Sequence, residues 1–389
     1  MIMIASTTFS WNTHCLITQG ALVGFPTLPL SETVSVVPVE EFVRIAGRAV
    51  QEVTQRVVEG VPTAVPDFRS SLRMNPRFTF SYVRCLNRHE IAPSLPHNPS
   101  RSGPPASSYR TVAENDHITV LDILATHSDE PDWGMDQNLF CVDDYGFGNP
   151  PFGTREGKSS QAAFHMAFFH EPWLLRLLAP TTRVSFLPDR FRLCCDLARV
   201  AQSYQIHYWM WRFRAWALHY LQDLTQPYHA RALPFSLIRL LKAWFTTLSR
   251  EQFSRRYKIY LMNRHSLFEA TVHFLLNDEV KSENGGPLTT SLRQPALDFP
   301  PQPDDLVSWA KYAAQVAPKV NLAFERFLLD PTIDTTDYVT ASRGARYPLK
   351  ERIEAAKKER PACFQAFLDI TAHCLSIAAE ATRCLAKRW

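Results

Sequence analysis

Residues 219–230 have the sequence HYLQDLTQPYHA. His219 and Asp223 are separated by four positions, so on an α-helix they lie on one face and can share a cation. Pro227 should end that helix and let His229 turn towards a second, nearby cation. The stretch therefore predicts a helix that carries metal ligands on one face and stops at a proline turn.

A second pair of the same kind lies in the sequence HSLFE, where His265 and Glu269 are again four positions apart. One such pair is usually an ordinary contact on a helix surface. Two pairs, together with His229 and the Gln-Pro turn, favour a metal centre. Imidazole and carboxylate ligands together suit zinc, and several of them in one place predict more than one ion.

The rest of the sequence is dominated by helical patterns, and strand signals are few and short. Helices are predicted over 38–58, 191–220, 255–277, 304–329 and 351–389, the last interrupted at Pro361. Loops are predicted over 91–108, 283–304 and 330–348, and 117–152 reads as loop-rich. We therefore expect an all-α fold with long Pro-rich loops, forming one domain over residues 1–389.

The composition is that of an ordinary globular protein. Of 389 residues, 46% are hydrophobic, and 42 basic against 38 acidic side chains give a net charge of +4. These values exclude wholesale disorder and collagen-like repeats, and the net charge is too small to imply nucleic-acid or membrane binding by itself. The eight cysteines form no C-x-x-C pair, which argues against a cysteine-based zinc finger.

HYLQDLTQPYHA resembles the signature H-(Y/F)-(L/I)-G-D-(L/V/I)-x-Q-P-x-H-A of the zinc-dependent phospholipases C. The related single-strand-specific zinc nucleases share that signature. HSLFE resembles the H-x-x-x-(E/D) element that follows it in both groups. Gln222 stands where glycine is usual, on a side of the helix that we expect to carry no ligands. The resemblance extends over about residues 191–272 and elsewhere rests on isolated ligands.

The resemblance implies an all-helical enzyme with three zinc ions. His219 and Asp223 would belong to the first site, with a loop aspartate and another histidine. The second site would take the ligands His229, His265 and Glu269. The third would use an N-terminal Trp, a nearby His and the signature Asp as a bridge, which match Trp11, His14 and Asp223.

Trp11 is a misfit to this pattern, because it is not the first residue and an internal peptide nitrogen is a poor zinc ligand. Either the first ten residues are removed, or the third ion uses the Trp11 carbonyl together with substitute ligands.

The two remaining ligands of the first site are each left with two candidates. Among the acids of residues 127–136 we prefer Asp132 to Asp129. His165 precedes His219 by 54 residues and His170 by 49, and both separations suit the family. We prefer His165, because its apolar neighbours could hold the ring in place.

The expected reaction is phosphodiester hydrolysis, in which Asp132 could also orient or deprotonate the attacking water. The segment 231–264 carries eight basic residues and one acid, with aromatic residues interleaved. Such an insertion suits anionic lipid headgroups, although it could equally track a single-stranded nucleic acid or be a core helix with a solvated basic face. The W-x-x-H start and the loop SDEPDWGMD resemble a bacterial phosphatidylcholine-hydrolysing branch of the family. We therefore expect a phospholipase C that cleaves phosphatidylcholine to diacylglycerol and phosphocholine at a membrane surface. A single-strand zinc nuclease and a catalytically silent interaction protein are the alternatives.

Localisation is left open by the sequence. The start MIMIASTTFSW lacks the basic region and the apolar length of a standard signal peptide. No run approaches the ~18 consecutive apolar residues of a membrane span. Family habit favours export by a specialised route, with the cytoplasm as the alternative, and no protein partner follows from the sequence.

Overall fold

The computed structural model of the protein describes residues 13–58, 116–133, 162–173, 185–232, 250–282, 284–328, 330–338 and 347–389. Within these ranges most residues are helical, and the β-structure is one two-stranded antiparallel sheet. In that sheet β1 (Thr33–Ser35) pairs with β2 (His117–Thr119). The prediction of an all-α fold is therefore confirmed.

The helices follow each other along the chain with lengths from one turn to nine. They are α1 (His14–Leu22), α2 (Val39–Val58), α3 (Val120–Ser128), α4 (Ala162–His165), α5 (Leu187–Ser203), α6 (His207–Thr225), α7 (Pro227–Ala230), α8 (Arg250–Lys281), α9 (Pro287–Arg293), α10 (Leu306–Leu328), α11 (Leu349–Glu359) and α12 (Pro361–Ala386). Single 3₁₀ turns cover Glu130–Trp133 and Pro331–Asp334.

Helix α6 forms the centre of the structure. Every residue from Tyr208 to Thr225 is buried, which is the property of a helix surrounded by protein on all sides. It packs against α3, α5, α10 and α12. Because α6 also carries His219 and Asp223, the predicted ligands lie in the core rather than on the surface.

The predicted helix 191–220 is divided in two. The chain leaves α5 through Gln205, whose φ of 57° is in the left-handed region, and the amide of Ile206 donates to the Ala201 carbonyl at 2.9 Å. This is the hydrogen bond of a Schellman helix end. Apolar residues continue across the break because both helices are buried, so the spacing of apolar residues alone could not reveal it.

Two regions predicted to be irregular contain helices. Helix α9 lies inside the predicted loop 283–304, where Leu288 and Leu292 are buried. Helix α3 lies inside the loop-rich region 117–152 and begins at Thr119, whose side chain accepts a hydrogen bond from the Asp122 amide at 3.2 Å. Both helices are shorter than the windows over which apolar periodicity can be recognised.

The other helix predictions are confirmed. Helices α2, α8 and α10 cover the predicted segments 38–58, 255–277 and 304–329 to within a few residues, although α8 begins at Arg250 and ends at Lys281. The break predicted at Pro361 separates α11 from α12. The predicted loop 91–108 and residues 233–249 of the basic segment lie outside the described residues.

Helix α12 is long and apolar enough, by length and composition alone, to cross a membrane. It has 26 residues, and its most apolar window has a mean hydropathy of 1.4. Half of that window is buried inside the protein, and the helix packs against α1, α6, α9 and α10. A core helix of a soluble protein passes the same test, so the feature is weak evidence for a membrane span.

A buried carboxylate joins the turn after α3 to helix α6. Glu130 accepts hydrogen bonds from both ends of the Arg212 guanidinium, with Nε at 2.9 Å, and from the Trp216 indole at 2.8 Å. The Nδ1 atom of His127 lies 2.9 Å from the same carboxylate. Burial raises the pKa of Glu130, but Arg212 and His127 outweigh it and hold that pKa well below its usual range. This network fixes the backbone two residues before Asp132.

We expect Glu130→Ala to lower the free energy of unfolding by about 3–5 kcal/mol, because it leaves the buried Arg212 charge without its carboxylate. Urea denaturation followed by circular dichroism measures the change. Glu41→Ala is the control, because the ion pair of Glu41 with Arg44 is exposed. The urea concentration at the midpoint of its unfolding should match that of the wild type. Equal midpoints for all three proteins would contradict the structural role of Glu130.

Candidate metal centre

Helix α6 places His219 and Asp223 one turn apart, both fully buried. The His219 Nδ1–H donates to the Ser128 carbonyl at 2.7 Å, so the lone pair of the neutral ring is on Nε2. That Nε2 atom lies 3.2 Å from Asp223 Oδ2. Burial and the neighbouring His14 lower the pKa of His219 to about 3, which favours the neutral ring that a metal ligand requires.

Three ligand-type side chains from three elements form the first group: Asp132 from the 3₁₀ turn, His165 from α4 and His219 from α6. His165 Nδ1 lies 3.0 Å from His219 Nε2 and 2.8 Å from Asp223 Oδ2. Asp132 Oδ1 lies 3.6 Å from His165 Nδ1 and 3.5 Å from His219 Nε2. Asp223 therefore adds a fourth ligand-type side chain to the group.

The rival candidates for the first group have other partners. Asp129 accepts a hydrogen bond from the Cys15 amide at 2.9 Å, and burial raises the pKa of this carboxyl to about 6. The His170 Nε2–H donates to the Val307 carbonyl at 2.9 Å on the surface. The structure thus brings the preferred residues, Asp132 and His165, into the group.

The second group consists of His229 from α7 and His265 and Glu269 from α8. The two Nε2 atoms of the histidines lie 2.9 Å apart, and Glu269 Oε1 lies 3.0 Å from His265 Nε2 and 3.3 Å from His229 Nε2. Burial raises the pKa of Glu269, but His265 and His229 outweigh it and lower the value to about 2. The Glu269 carboxylate is therefore ionised and available to a cation.

Gln226, the residue before Pro227, holds the second group together. Its side-chain oxygen accepts hydrogen bonds from the amides of Tyr228 and His229, which caps α7, and the bond from His229 measures 3.1 Å. Its Nε2 donates to Glu269 Oε1 at 2.7 Å. The Gln-Pro turn thus starts α7 and orients a carboxylate of α8, a role that the spacing of ligands did not reveal.

The third group consists of His14, His219 and Asp223. His14, at the start of α1, is fully buried, and its Nε2 lies 3.5 Å from Asp223 Oδ1 and 3.7 Å from Asp132 Oδ2. Burial lowers the pKa of His14, but Asp223 outweighs it and raises the value above its usual range. Trp11, the other predicted ligand of this site, lies outside the described residues.

The two oxygens of Asp223 face different groups. Oδ2 lies against His165 and His219, whereas Oδ1 lies against His14 and also 3.0 Å from His229 Nδ1. Burial lowers the pKa of His229, but Asp223 and Glu269 outweigh it and raise the value to about 9. A carboxylate with this placement can bridge two cations and orient the ligand of a third.

Gln222 is not among the ligand-type residues of the three groups, but its side chain contacts one of them. Its side chain is fully buried, and Oε1 lies 2.8 Å from His14 Nδ1. Its Nε2 donates to the hydroxyls of Thr18 on α1 and Thr382 on α12, each at 2.9 Å.

These contacts determine the tautomer of His14. The Thr382 hydroxyl donates its single proton to the Ala378 carbonyl at 2.8 Å, so it can only accept from the amide of Gln222. Gln222 must then point Nε2 at Thr382 and Oε1 at His14. Because Oε1 only accepts, Nδ1 of His14 carries a proton, and in the neutral ring the lone pair is on Nε2, which faces Asp223.

The spacing of ligand-type atoms in the three groups is compatible with a bound metal ion. Two nitrogen or oxygen ligands held tetrahedrally at about 2.0–2.1 Å from zinc lie about 3.3 Å apart. Neighbouring ligand-type atoms in the groups are 2.8–3.7 Å apart. Glu269 Oε2 is buried without a hydrogen-bond partner among the described residues, which leaves a carboxylate oxygen for a cation. These clusters of His, Asp and Glu could each hold a metal ion, and none of them contains a cysteine.

No known family model, curated protein or solved structure matches this chain.

We expect Gln222→Leu to shift the tautomer of His14 in the metal-free protein. Without the Oε1 acceptor, the ring gains more from placing its proton on Nε2, where it can donate to Asp223. Nitrogen-15 NMR of the imidazole in chelator-treated protein, at a pH where the ring is neutral, distinguishes the two tautomers. Thr18→Val is the control, because it leaves Oε1 facing His14. Retention of the Nδ1–H tautomer in folded Gln222→Leu would refute the assignment.

Proposed function

We propose that the protein is a zinc-dependent phosphodiester hydrolase of the phospholipase C type that binds three zinc ions. The observation that carries the proposal is the position of Asp223, whose two oxygens face separate groups of buried histidines. The first zinc would be held by Asp132, His165, His219 and Asp223, the second by His229, His265 and Glu269, and the third by His14 and Asp223. The family resemblance adds Trp11 to the third site.

Bound zinc supplies Lewis-acid chemistry, which activates water near neutral pH and neutralises the charge on phosphate. Asp132 suits the role of orienting that water or accepting its proton. Its carboxylate lies between His219 and His14, at 3.5 Å and 3.7 Å from their Nε2 atoms. Its side chain is 7% exposed, whereas those of His219, His14 and Asp223 are fully buried, so Asp132 stands on the side of the cluster that solvent can reach.

The orientation of the histidine rings also serves this chemistry. Ser128 and Gln222 hold the Nδ1 protons of His219 and His14, so both Nε2 atoms face Asp223. The rings therefore need no rotation when a cation arrives, and the lowered pKa of His219 keeps its Nε2 lone pair free. Such preorganisation is the main contribution that a protein scaffold makes to electrostatic catalysis.

A phospholipid is the preferred substrate because the basic segment 231–264 lies between the second-site ligands His229 and His265. Arg231 and Arg264 are the basic residues of this segment whose side chains the structure describes. Arg264 pairs with Glu325 at 2.8 Å and with Asp334 at 2.9 Å, and Arg231 lies 3.8 Å from Glu171.

We expect the purified protein to contain three zinc ions per chain when elemental analysis follows metal-replete purification. His219→Ala and Glu269→Ala should each lose zinc and at least about 10³-fold in hydrolysis, because each removes a ligand. His170→Ala is the matched control, since this histidine lies on the surface with a carbonyl partner, and it should retain metal and activity. Absence of zinc from the wild-type protein would refute the enzyme proposal.

The substrate is tested by comparing phosphatidylcholine vesicles with single-stranded DNA and RNA. We expect release of phosphocholine and diacylglycerol, and no release of nucleotides. Hydrolysis of nucleic acid alone would instead identify a single-strand nuclease. A protein that binds zinc fully but cleaves neither substrate would contradict the hydrolase proposal and leave the interaction protein.

A further inference from the structure

A cavity of about 770 Å³ lies between α5, α6 and the end of α12, and it contains none of the metal-site residues. Arg214 of α6 lines it. Arg214 precedes Asp223 by nine residues, which at 3.6 residues per turn places the two on opposite faces of the helix. The volume is in the range of pockets that bind small molecules, so the cavity is large enough for a ligand.

Among the charged side chains that line the cavity, one arginine has no aspartate partner. Its lining includes four arginines and three aspartates. Arg192 pairs with Asp189 at 3.6 Å, and Arg388 pairs with Asp304 at 3.0 Å. The third pair joins Arg199 to Asp196. Each aspartate thus has its own arginine, and Arg214 remains.

Arg214 is the most deeply buried of these arginines, with 5% of its surface exposed. Its guanidinium lies over the rings of Trp211 and Trp389, at 4.5 Å and 5.3 Å from their centroids. A bond of 3.4 Å to Gln202 Oε1 is the one hydrogen bond of this side chain within the described part of the chain, where it makes no ion pair. Burial lowers the pKa of Arg214 to about 10, which shows the cost of leaving this charge without a counterion.

We propose that the cavity binds a singly charged anion, a carboxylate or a phosphate diester, attached to a non-polar body, and that Arg214 receives the anionic group. Arg214 is the one lining arginine without an aspartate partner, so it suits a single negative charge. The second charge of a dianion would be repelled by the three lining aspartates. The guanidinium has five donors, and most of them are free for a bidentate contact. Phe191, Leu385 and Trp389 line the same cavity and can cover the non-polar body.

This proposal is independent of the metal chemistry, and its test uses metal-free protein. Isothermal titration calorimetry at pH 8 compares benzoate with its neutral isostere benzamide, and diphenyl phosphate with the dianion phenyl phosphate. We expect at least one of the two monoanions to bind at least about tenfold more tightly than benzamide, because a charged hydrogen bond to Arg214 replaces a neutral one. The same monoanion should also bind more tightly than phenyl phosphate, because the second negative charge of the dianion would lie near the aspartates of the cavity. The stronger of the two monoanions identifies the anionic group.

Two variants locate the site. Arg214→Gln should weaken binding of the better monoanion by about tenfold or more. Arg192→Gln is the matched control, because Arg192 lines the same cavity but is 66% exposed and already paired, and its effect should stay below about threefold. Proton NMR of the tryptophan indoles in the wild type gives a second measurement, in which only the binding probes should shift the Trp389 signal.

Three results would overturn the proposal. The first is that benzoate binds no more tightly than benzamide and diphenyl phosphate no more tightly than phenyl phosphate. The others are an unchanged affinity for the monoanion in folded Arg214→Gln, and no binding of either monoanion to the wild type. If Arg214→Gln does not fold, the comparison of probes on the wild type still decides, because benzoate and benzamide differ in charge and scarcely in shape.

Discussion

The structure depends on the burial of one carboxylate. Asp223 has no exposed surface, and four histidines surround it with ring nitrogens at 2.8–3.5 Å. Burial raises the pKa of Asp223, but these rings outweigh it and hold the pKa well below its usual range, so the side chain is an anion in the core. A buried anion is tolerated only where partners are fixed around it. The four rings come from α1, α4, α6 and α7, so the elements that bear them must converge on this one residue.

That constraint explains why α6 is buried along its length. One face supplies His219 and Asp223, and Arg212, about two turns before His219, holds Glu130 and with it the 3₁₀ turn of Asp132. The opposite face carries Arg214, which lines the separate cavity and lies over the Trp211 ring. Helices α3, α5, α10 and α12 pack around α6 and exclude solvent from both faces.

The local part of the site could be predicted from the sequence because helix geometry sets it. The spacing of His219 to Asp223 and of His265 to Glu269 determines which side chains share a face, and both pairs are within contact distance. To select Asp132 and His165 as candidates, the resemblance to the family was needed as well. These residues are far from α6 in sequence, so helix geometry does not say where they lie. The break at Gln205 escaped prediction, because two adjoining buried helices keep the apolar pattern continuous.

Gln222 shows most clearly what sequence reasoning lacks. The amide is oriented by Thr382, 160 residues further on, and no local pattern connects the two positions. Yet this contact decides which nitrogen of His14 carries the proton, and therefore which nitrogen faces Asp223. Within the described part of the chain, Gln222 thus links His14 of α1 to Thr382 of α12. A glycine at position 222 would have no side chain to make these contacts.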